Sequence, residues 1–282
     1  MRTHGVRKPA VAGRFYSYVL KDLRKEIEAC FTSKLGPGKV PGLTAKGAGP
    51  RTIKGLVVPH AGYMYSGPVA AFAYAALAKD GFPSTFIILG PNHSGMGPGV
   101  AVTMEDFATP LGNAICDEML ATAITKRPIE MGEAAHTYEH SLEVQLPFLQ
   151  YFTNDFKFVP IAMMDQDHET AVDVGAVIRK AIEGRQGDVV IVASTDFSHY
   201  VPEAIAKKKD GLAIERILAL DSKGLFETVK ANRISMCGYG PVMVMLEALK
   251  GSANKADLLK YGTSGDVSAM DDVVGYAAIT VR

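Results

Sequence analysis

The chain has 282 residues, 48% of them apolar, with 30 basic and 30 acidic side chains and no formal net charge. That is ample for a sizeable core; no basic stripe favours nucleic acid as a partner, and no apolar run approaches the length needed to span a bilayer. Cys30, Cys116 and Cys237 are odd in number and far apart, which argues against a disulfide framework and for a reducing, cytoplasmic location.

Met1 to Pro9 is basic but leads into no apolar targeting segment, and Ala10 to Tyr18 is small and aromatic-rich, without a clear period. Lys21 to Phe31 is an amphipathic helix with Leu20, Leu23, Ile27, Cys30 and Phe31 on one stripe. Lys34 to Pro50, rich in Gly and Pro, is a surface loop. Leu56-Val57-Val58 is a short buried strand that stops at Pro59 and presents His60. Gly67-Pro68 opens an Ala-rich helix to Lys79, with proline at the first helical position. Thr85 to His93 repeats the earlier phrase: an apolar run, then Gly90, Pro91 and a histidine. Val100 to Phe107 is expected as a strand, and Asn113 to Lys126 as a helix with Asp117 and Glu118 in its early turns. His136 to Phe152 is helical in part, capped at Ser141 and kinked at Pro147. A strand over Phe156 to Met164 and a helix over Asp167 to Glu183 follow. Asp188 to His199 is the third strand of the repeated kind. Helices over Pro202 to Leu220 and Ser222 to Ala231, a Met-rich helix opened by Cys237-Gly-Tyr-Gly-Pro241, and a strand from Val273 to Val281 complete the chain. Alternating strands and helices imply an α/β fold with a largely parallel sheet covered on both faces.

Three strands of one kind thus deliver His60, His93 and His199 at their carboxyl ends, the edge where ligands bind in open α/β sheets. One such histidine is most simply a side chain bonded to a nearby carbonyl. Three at equivalent places are what a divalent transition metal requires. Asp196 and His199, three apart, read as a general base with its orienting carboxylate or a further ligand; the alternative is that Asp196 caps a helix. Cys237 precedes a helix start, whose partial positive charge favours thiolate, for a metal or as a nucleophile. Cys30 and Cys116 read as packing residues. His136 and His140 have i, i+4 helical spacing beside Glu139 and Glu143, and His140 is expected to support the site or face substrate. Tyr63, Tyr65, Tyr138, Tyr200 and Tyr239 accompany the site segments and are expected to line a phenol-rich pocket. Gly-x-Gly-x-x-Gly after a strand, the P-loop pattern and Gly-x-Ser-x-Gly are all absent, so no dinucleotide, P-loop or nucleophile-elbow site is signalled.

Val-Pro-His60-Ala-Gly-Tyr-Met-Tyr-Ser-Gly, Gly-Pro-Asn-His93, Glu139-His-Ser-Leu-Glu-Val-Gln-Leu-Pro147, Ser194-Thr-Asp-Phe-Ser-His199 and Cys237-Gly, in that order, resemble the Memo family, from about Pro9 to the C-terminus. That family is similar in fold to the LigB-type class III extradiol dioxygenases. The resemblance implies a single three-layer α/β/α domain over residues 1–282 with a mixed central sheet. The dioxygenases hold non-haem iron(II) with two histidines and a carboxylate and use a further histidine as acid/base. His60 and His93 match the two histidine ligands and His199 the acid/base. Cys237 stands where the carboxylate would be; thiolate is softer and shifts preference towards copper or zinc while still allowing iron. Memo proteins are similarly metal-binding, with iron or copper. Their animal members act in receptor-tyrosine-kinase-driven motility, and their prokaryotic members resemble one part of a set with a radical-SAM protein and an AMMECR-type protein.

The leading expectation is a His60/His93/Cys237 metal site, with iron(II), copper or zinc, open to dioxygen or a small substrate. Asp196 and His199 would manage protons, and Tyr63, Tyr200, Tyr239 and His140 would surround the ligand. Two other readings stay open: a binding module that takes a peptide or protein partner in the strand-end cleft without turnover, and a metal-free hydrolase with Cys237 as nucleophile and His199 as base.

Overall fold

The apolar runs of the sequence become the middle of one sheet. The computed structural model describes residues 4–45, 48–185 and 188–282. Its strands are β1 (Val6–Arg7), β2 (Gly55–Val58), β3 (Thr85–Pro91), β4 (Val100–Val102), β5 (Asp106–Thr109), β6 (Gly112–Cys116), β7 (Glu130–Met131), β8 (Lys157–Met163), β9 (Val189–Ser194), β10 (His199–Pro202), β11 (Ala256–Thr263) and β12 (Asp272–Val281). Its α-helices are α1 (Leu20–Thr32), α2 (Tyr63–Asp80), α3 (Glu118–Ile124), α4 (Leu146–Phe152), α5 (His168–Ala181), α6 (Glu203–Leu218), α7 (Ser222–Ala231) and α8 (Tyr239–Ala248). Among the described residues the strands form one twelve-stranded sheet with the path β1-β5-β6-β8-β3-β9-β2-β12-β10; β11 pairs with β12, and β4 with both β7 and β8. β6, β8, β3, β9 and β2 run parallel, and β12 closes antiparallel on β2. The sheet is therefore mixed and largely parallel, as expected.

Successive strand residues point to opposite faces, and here both faces are apolar. Leu56, Val58, Phe86, Ile88, Val190 and Val192 pack with α1, α2 and α4. Val57, Ile87, Leu89, Ile191 and Ala193 pack with α3, α5, α6, α7 and α8. Each side chain of this size fully withdrawn from water contributes about 1.5–3 kcal/mol, and two such cores clamp the sheet into the middle of three layers. No helix among the described residues is long and apolar enough to cross a membrane.

Several elements differ from expectation, each for a local reason. α2 begins at Tyr63, with Gly62 as its N-cap, and carries Pro68 inside; the Ser66 hydroxyl bonds back to the Ala61 carbonyl in that first turn. Val100 to Phe107 is two strands, because the chain leaves β8 after Val102 and turns to pair β5 with β1 and β6. Asn113 to Cys116 belongs to β6 rather than to a helix, and Asp117 is the N-cap of α3, its carboxylate accepting from the Leu120 amide. Pro147 sits in the first turn of α4, where it starts a helix instead of kinking one. Residues 136–142 are turns and irregular backbone, so His136 and His140 share no helix face. The Ser141 hydroxyl donates to the Pro91 carbonyl rather than capping a helix.

Candidate metal centre

Three adjacent parallel strands aim the site. β9 lies between β3 and β2, with Val58 level with Ser194 and Leu89 level with Ala193. His60 follows β2 by two residues, His93 follows β3 by two, and Asp196 follows β9 by two. The two histidines therefore come from strands on either side of β9, roughly 10 Å apart at the backbone, and lean toward one another. Their ring centroids are 5.3 Å apart at an interplanar angle of 80°. Cys237 reaches the same point from the start of α8. Gly238 makes that approach feasible: a Cβ there would lie 2.5 Å from the Ser194 carbonyl oxygen and 2.7 Å from the Thr195 Cβ.

The ligand atoms of His60, His93 and Cys237 all lie within 4.8 Å of one another. The hydrogen bonds around each ring set its tautomer. Ser194 Oγ donates to the Ser141 carbonyl (2.7 Å) and accepts from Gln145 Nε2 (2.8 Å). His60 Nδ1, 2.9 Å from that oxygen, is therefore the donor, which leaves a lone pair on Nε2, 3.2 Å from Cys237 Sγ. His93 Nδ1 lies 2.9 Å from Glu139 Oε1, and the same carboxylate accepts the His93 and Ser141 amides. Nε2 of His93 is again the free atom. An imidazole fixed through Nδ1–H to an oxygen acceptor is the usual support of a metal-ligating histidine. Cys237 Sγ accepts the Asp196 amide at 3.2 Å.

The electrostatics favour a neutral imidazole at His60 and His140. Burial pushes His60 down to about 3 and His140 down to about 4. Burial also lowers His93, but its hydrogen bond to Glu139 and that residue's charge outweigh this and leave it raised. Glu139, although buried, is brought down to about 2 by the His93 hydrogen bond and by the charges of His93 and His140. The Cys237 thiol is not the thiolate that the helix start predicts: burial first, then the Asp196 carboxylate, push it well above its ordinary value. The helix start does not offset those two effects. A bound cation does, since a coordinating thiol is deprotonated.

The other expected site residues fall into two groups. Asp196 caps no helix; it is buried, its Oδ1 accepts the His60 amide at 2.8 Å, and burial raises it. His199 opens β10, where the pairing with β12 shifts register between His199 and Val201. Its Nδ1 lies 2.8 Å from both the Phe197 and Ser235 carbonyls and is therefore the donor, with Nε2 free. Tyr200 occupies the bulge with φ 53°, is 78% exposed and has its ring centroid 6.0 Å from that of His199. His140 stacks on His93 at 4.6 Å and meets His60 edge-on at 5.5 Å. Tyr63 does not line the site: it is buried against Tyr16 and Phe148, and its hydroxyl donates to the Val144 carbonyl. The Tyr239 hydroxyl accepts from Lys230, and the ring lies against Phe226, at the outside of α8. His136 is wholly buried, its Nε2 at the Ala101 carbonyl and its ring against Phe107.

Sequence reasoning passed over Glu139, Ser194 and Gln145 as functional residues, although all three lie in the quoted motifs. What marks them is a buried polar group bonded to a histidine or to its support, which only the folded chain displays. A cavity of about 370 Å³ bounded by Phe15, Tyr16, Glu26 and Met64 adjoins the centre through Phe15, whose ring meets His140 edge-on at 4.8 Å. A larger one of about 550 Å³, lined by Thr85, Asp117, Lys157 and Arg185, lies at the opposite edge of the sheet, away from all these donors.

A family model described as a Memo-like protein matches residues 7–280. A MEMO1 family protein of Methanothermobacter thermautotrophicus is 47% identical over 280 residues, covering 98% of this chain and 100% of that one. A MEMO1 family protein of Methanopyrus kandleri is 50% identical over 283 residues, covering 98% and 99%. Among solved structures, an uncharacterized protein from Escherichia coli K12 is similar in fold, with a TM-score of 0.53 at 15% identity over 80% of this chain and 99% of that one.

Proposed function

The chain belongs to the Memo family, and from that premise we propose that it binds a redox-active transition metal, iron(II) or copper, through His60 Nε2, His93 Nε2 and Cys237 Sγ. The observation that carries this reading is the convergence of the three donors within 4.8 Å, with both Nδ1 atoms committed to Ser194 and Glu139. Two imidazoles and a thiolate suit iron, copper and zinc, and do not suit magnesium or calcium.

When bound, such a metal supplies Lewis-acid and one-electron chemistry. The chain's own residues do the rest. Ser194 and Glu139 hold the ligands in their tautomers. His199, its Nδ1 held by two carbonyls, offers Nε2 as the proton donor or acceptor for a substrate atom, and Asp196 fixes the His60 backbone beside it. His93, with 36% of its side chain exposed, marks the open side from which a small substrate enters.

A metal-free cysteine hydrolase is the weaker reading. The base nearest Sγ is His60 rather than His199, and an imidazole pushed down to about 3 beside a raised thiol yields little thiolate. The test is the metal content of protein purified without oxygen or chelator, with His93→Ala and Cys237→Ser alongside. Near-stoichiometric iron or copper in the wild type, lost in both variants, is the expected result. Protein free of metal under those conditions would overturn the reading, and metal retained by Cys237→Ser would move the third ligand elsewhere.

A further inference from the structure

A buried cation lies behind the centre, on the N-terminal segment. Arg7 in β1 is 5% exposed, and its guanidinium is spread over three acceptors. Nη1 donates to Glu143 Oε2 at 2.6 Å, Nε to the His136 carbonyl at 2.5 Å, and Nη2 to the Glu139 carbonyl. The guanidinium carbon lies over the Phe107 ring, 4.5 Å from its centroid. Glu143, fully buried, receives three further donors from the same N-terminal segment: the Ala10 amide at 2.7 Å, the Val11 amide at 3.1 Å and the Tyr16 hydroxyl at 2.6 Å.

Placing a charged pair in the core is expensive, and the pair returns little stability that an apolar pair of the same shape would not. What the guanidinium does that an apolar group could not is hold two carbonyls of one turn, at residues 136 and 139, by fixed forked geometry. That turn has no regular helix of its own. It carries the Glu139 carboxylate, which anchors both the amide and Nδ1 of His93, and the His140 ring stacked on His93. Five residues after His140, Gln145 bonds Ser194, the acceptor of His60 Nδ1.

We propose that Arg7 is a positioning residue of the metal centre: it sets the turn that carries Glu139, and through Glu139 the aim of His93 Nε2. The inference rests on the metal-binding reading above. Its consequence is that the affinity of the centre depends on a side chain in the first strand that touches neither metal nor ligand.

The test uses cobalt(II) as the probe, since its absorption reports both thiolate ligation and coordination geometry, with affinity taken from chelator competition. Arg7→Lys keeps a positive charge beside Glu143 but cannot hold the two carbonyls together. Loss of a ligand's supporting partner commonly costs 10–100-fold in metal affinity, so Arg7→Lys is expected to weaken cobalt binding by about tenfold or more and to alter the spectrum. Ile178→Ala, a core truncation towards the C-terminal end of α5, is expected to lower the unfolding midpoint and leave cobalt affinity unchanged. In a Glu139→Ala background, Arg7→Lys is expected to cost nothing further. A measurement on the wild type needs no variant: by reciprocity of coupling, cobalt loading is expected to slow amide exchange at Ala10 and Val11. Wild-type affinity in Arg7→Lys, losses that simply multiply in the double variant, or exchange at Ala10 and Val11 unmoved by cobalt would each overturn the role of Arg7 while leaving the metal site standing. Wild-type protein that takes up no cobalt, iron or copper overturns the metal reading and this inference with it.

Discussion

Ser194 shows how much of the centre depends on side chains that never meet a ligand. Its hydroxyl joins three groups: it accepts from His60 Nδ1 and Gln145, and donates to the Ser141 carbonyl, with the Gln145 amide also reaching the Pro59 carbonyl at 3.0 Å. Removing it leaves His60 Nδ1–H without its acceptor in a fully buried place, which frees the ring to adopt the other tautomer and turn Nε2 from donor atom to N–H. Ser194→Ala is therefore expected to fold, because one small buried hydroxyl is lost at a cost of about 1–3 kcal/mol, but to bind metal 10–100-fold more weakly. Chelator competition on the folded variant checks this, and an affinity within threefold of wild type would count against the tautomer argument. His60 and His93 were legible as single residues because each stands alone after an apolar run and a proline. Ser194 and Glu139 were not, since a serine in a strand and a glutamate in a polar segment have no distinctive spacing, and their meaning lies in contacts across 134 and 46 positions of the chain.

At the scale of elements, the site is an arrangement of ends: of β2, β3 and β9, and of the start of α8. The strands were legible because a run buried on both faces needs continuous apolar residues, and β3, β8 and β9 have them. β6 was not legible: it is half exposed, its residues alternate, and its acidic tail at Asp117 and Glu118 reads equally as the first turn of a helix. β11 was missed because it is an edge strand, half buried along most of its length and paired only with β12, so its period is weak. The turn at residues 136–142 was misread as helical because i, i+4 histidines beside glutamates imitate a helix face. Its shape comes instead from Arg7 and from the room left by Gly90, where a Cβ would sit 2.3 Å from Ser141 Oγ. The α8 junction gives the element-scale prediction. Because the Cβ of a residue at 238 would run into the Ser194 carbonyl and Thr195, Gly238→Ala is expected to push α8 and Cys237 away from β9. Near-native far-UV circular dichroism, with a weakened or absent thiolate-to-cobalt absorption band, is the expected outcome; an unchanged band would mean that the junction absorbs the methyl group elsewhere.

For the molecule as a whole, burying so many imidazoles couples the fold to acid. In the metal-free chain burial pushes His60 and His136 down to about 3 and His140 down to about 4, whereas each regains an ordinary value near 6.5 on unfolding. The sign follows directly. Above about pH 7 all three are neutral in both states and contribute nothing. As pH falls below 6.5 the unfolded chain takes up protons that the folded chain refuses, so stability falls, by up to about 1.4 kcal/mol per pH unit for each histidine. His140 is partly exposed, with 21% of its side chain accessible, and contributes less than the other two. His93 runs the other way: raised in the folded state, it adds stability below 6.5 that is lost as pH rises through its folded value, so it alters the slope only near neutrality and adds a constant amount at lower pH. Glu139, brought down to about 2, adds a further loss once pH drops below about 4.5. Denaturant unfolding of metal-free protein between pH 7 and 4.5 is therefore expected to show stability dropping steeply below pH 6, with a slope of two to three protons taken up per molecule unfolded. His136→Phe separates the contributions, because His136 lies outside the metal ligands and packs against Phe107. The substitution is expected to remove about one proton from the slope, and a slope of less than one proton in the wild type would mean that these imidazoles titrate freely in the folded chain. Metal bound at His60, His93 and Cys237 would steepen the same dependence, since such ligands hold a metal only in their deprotonated forms, and the acid limb of the loaded protein would then lie at higher pH than that of the bare fold.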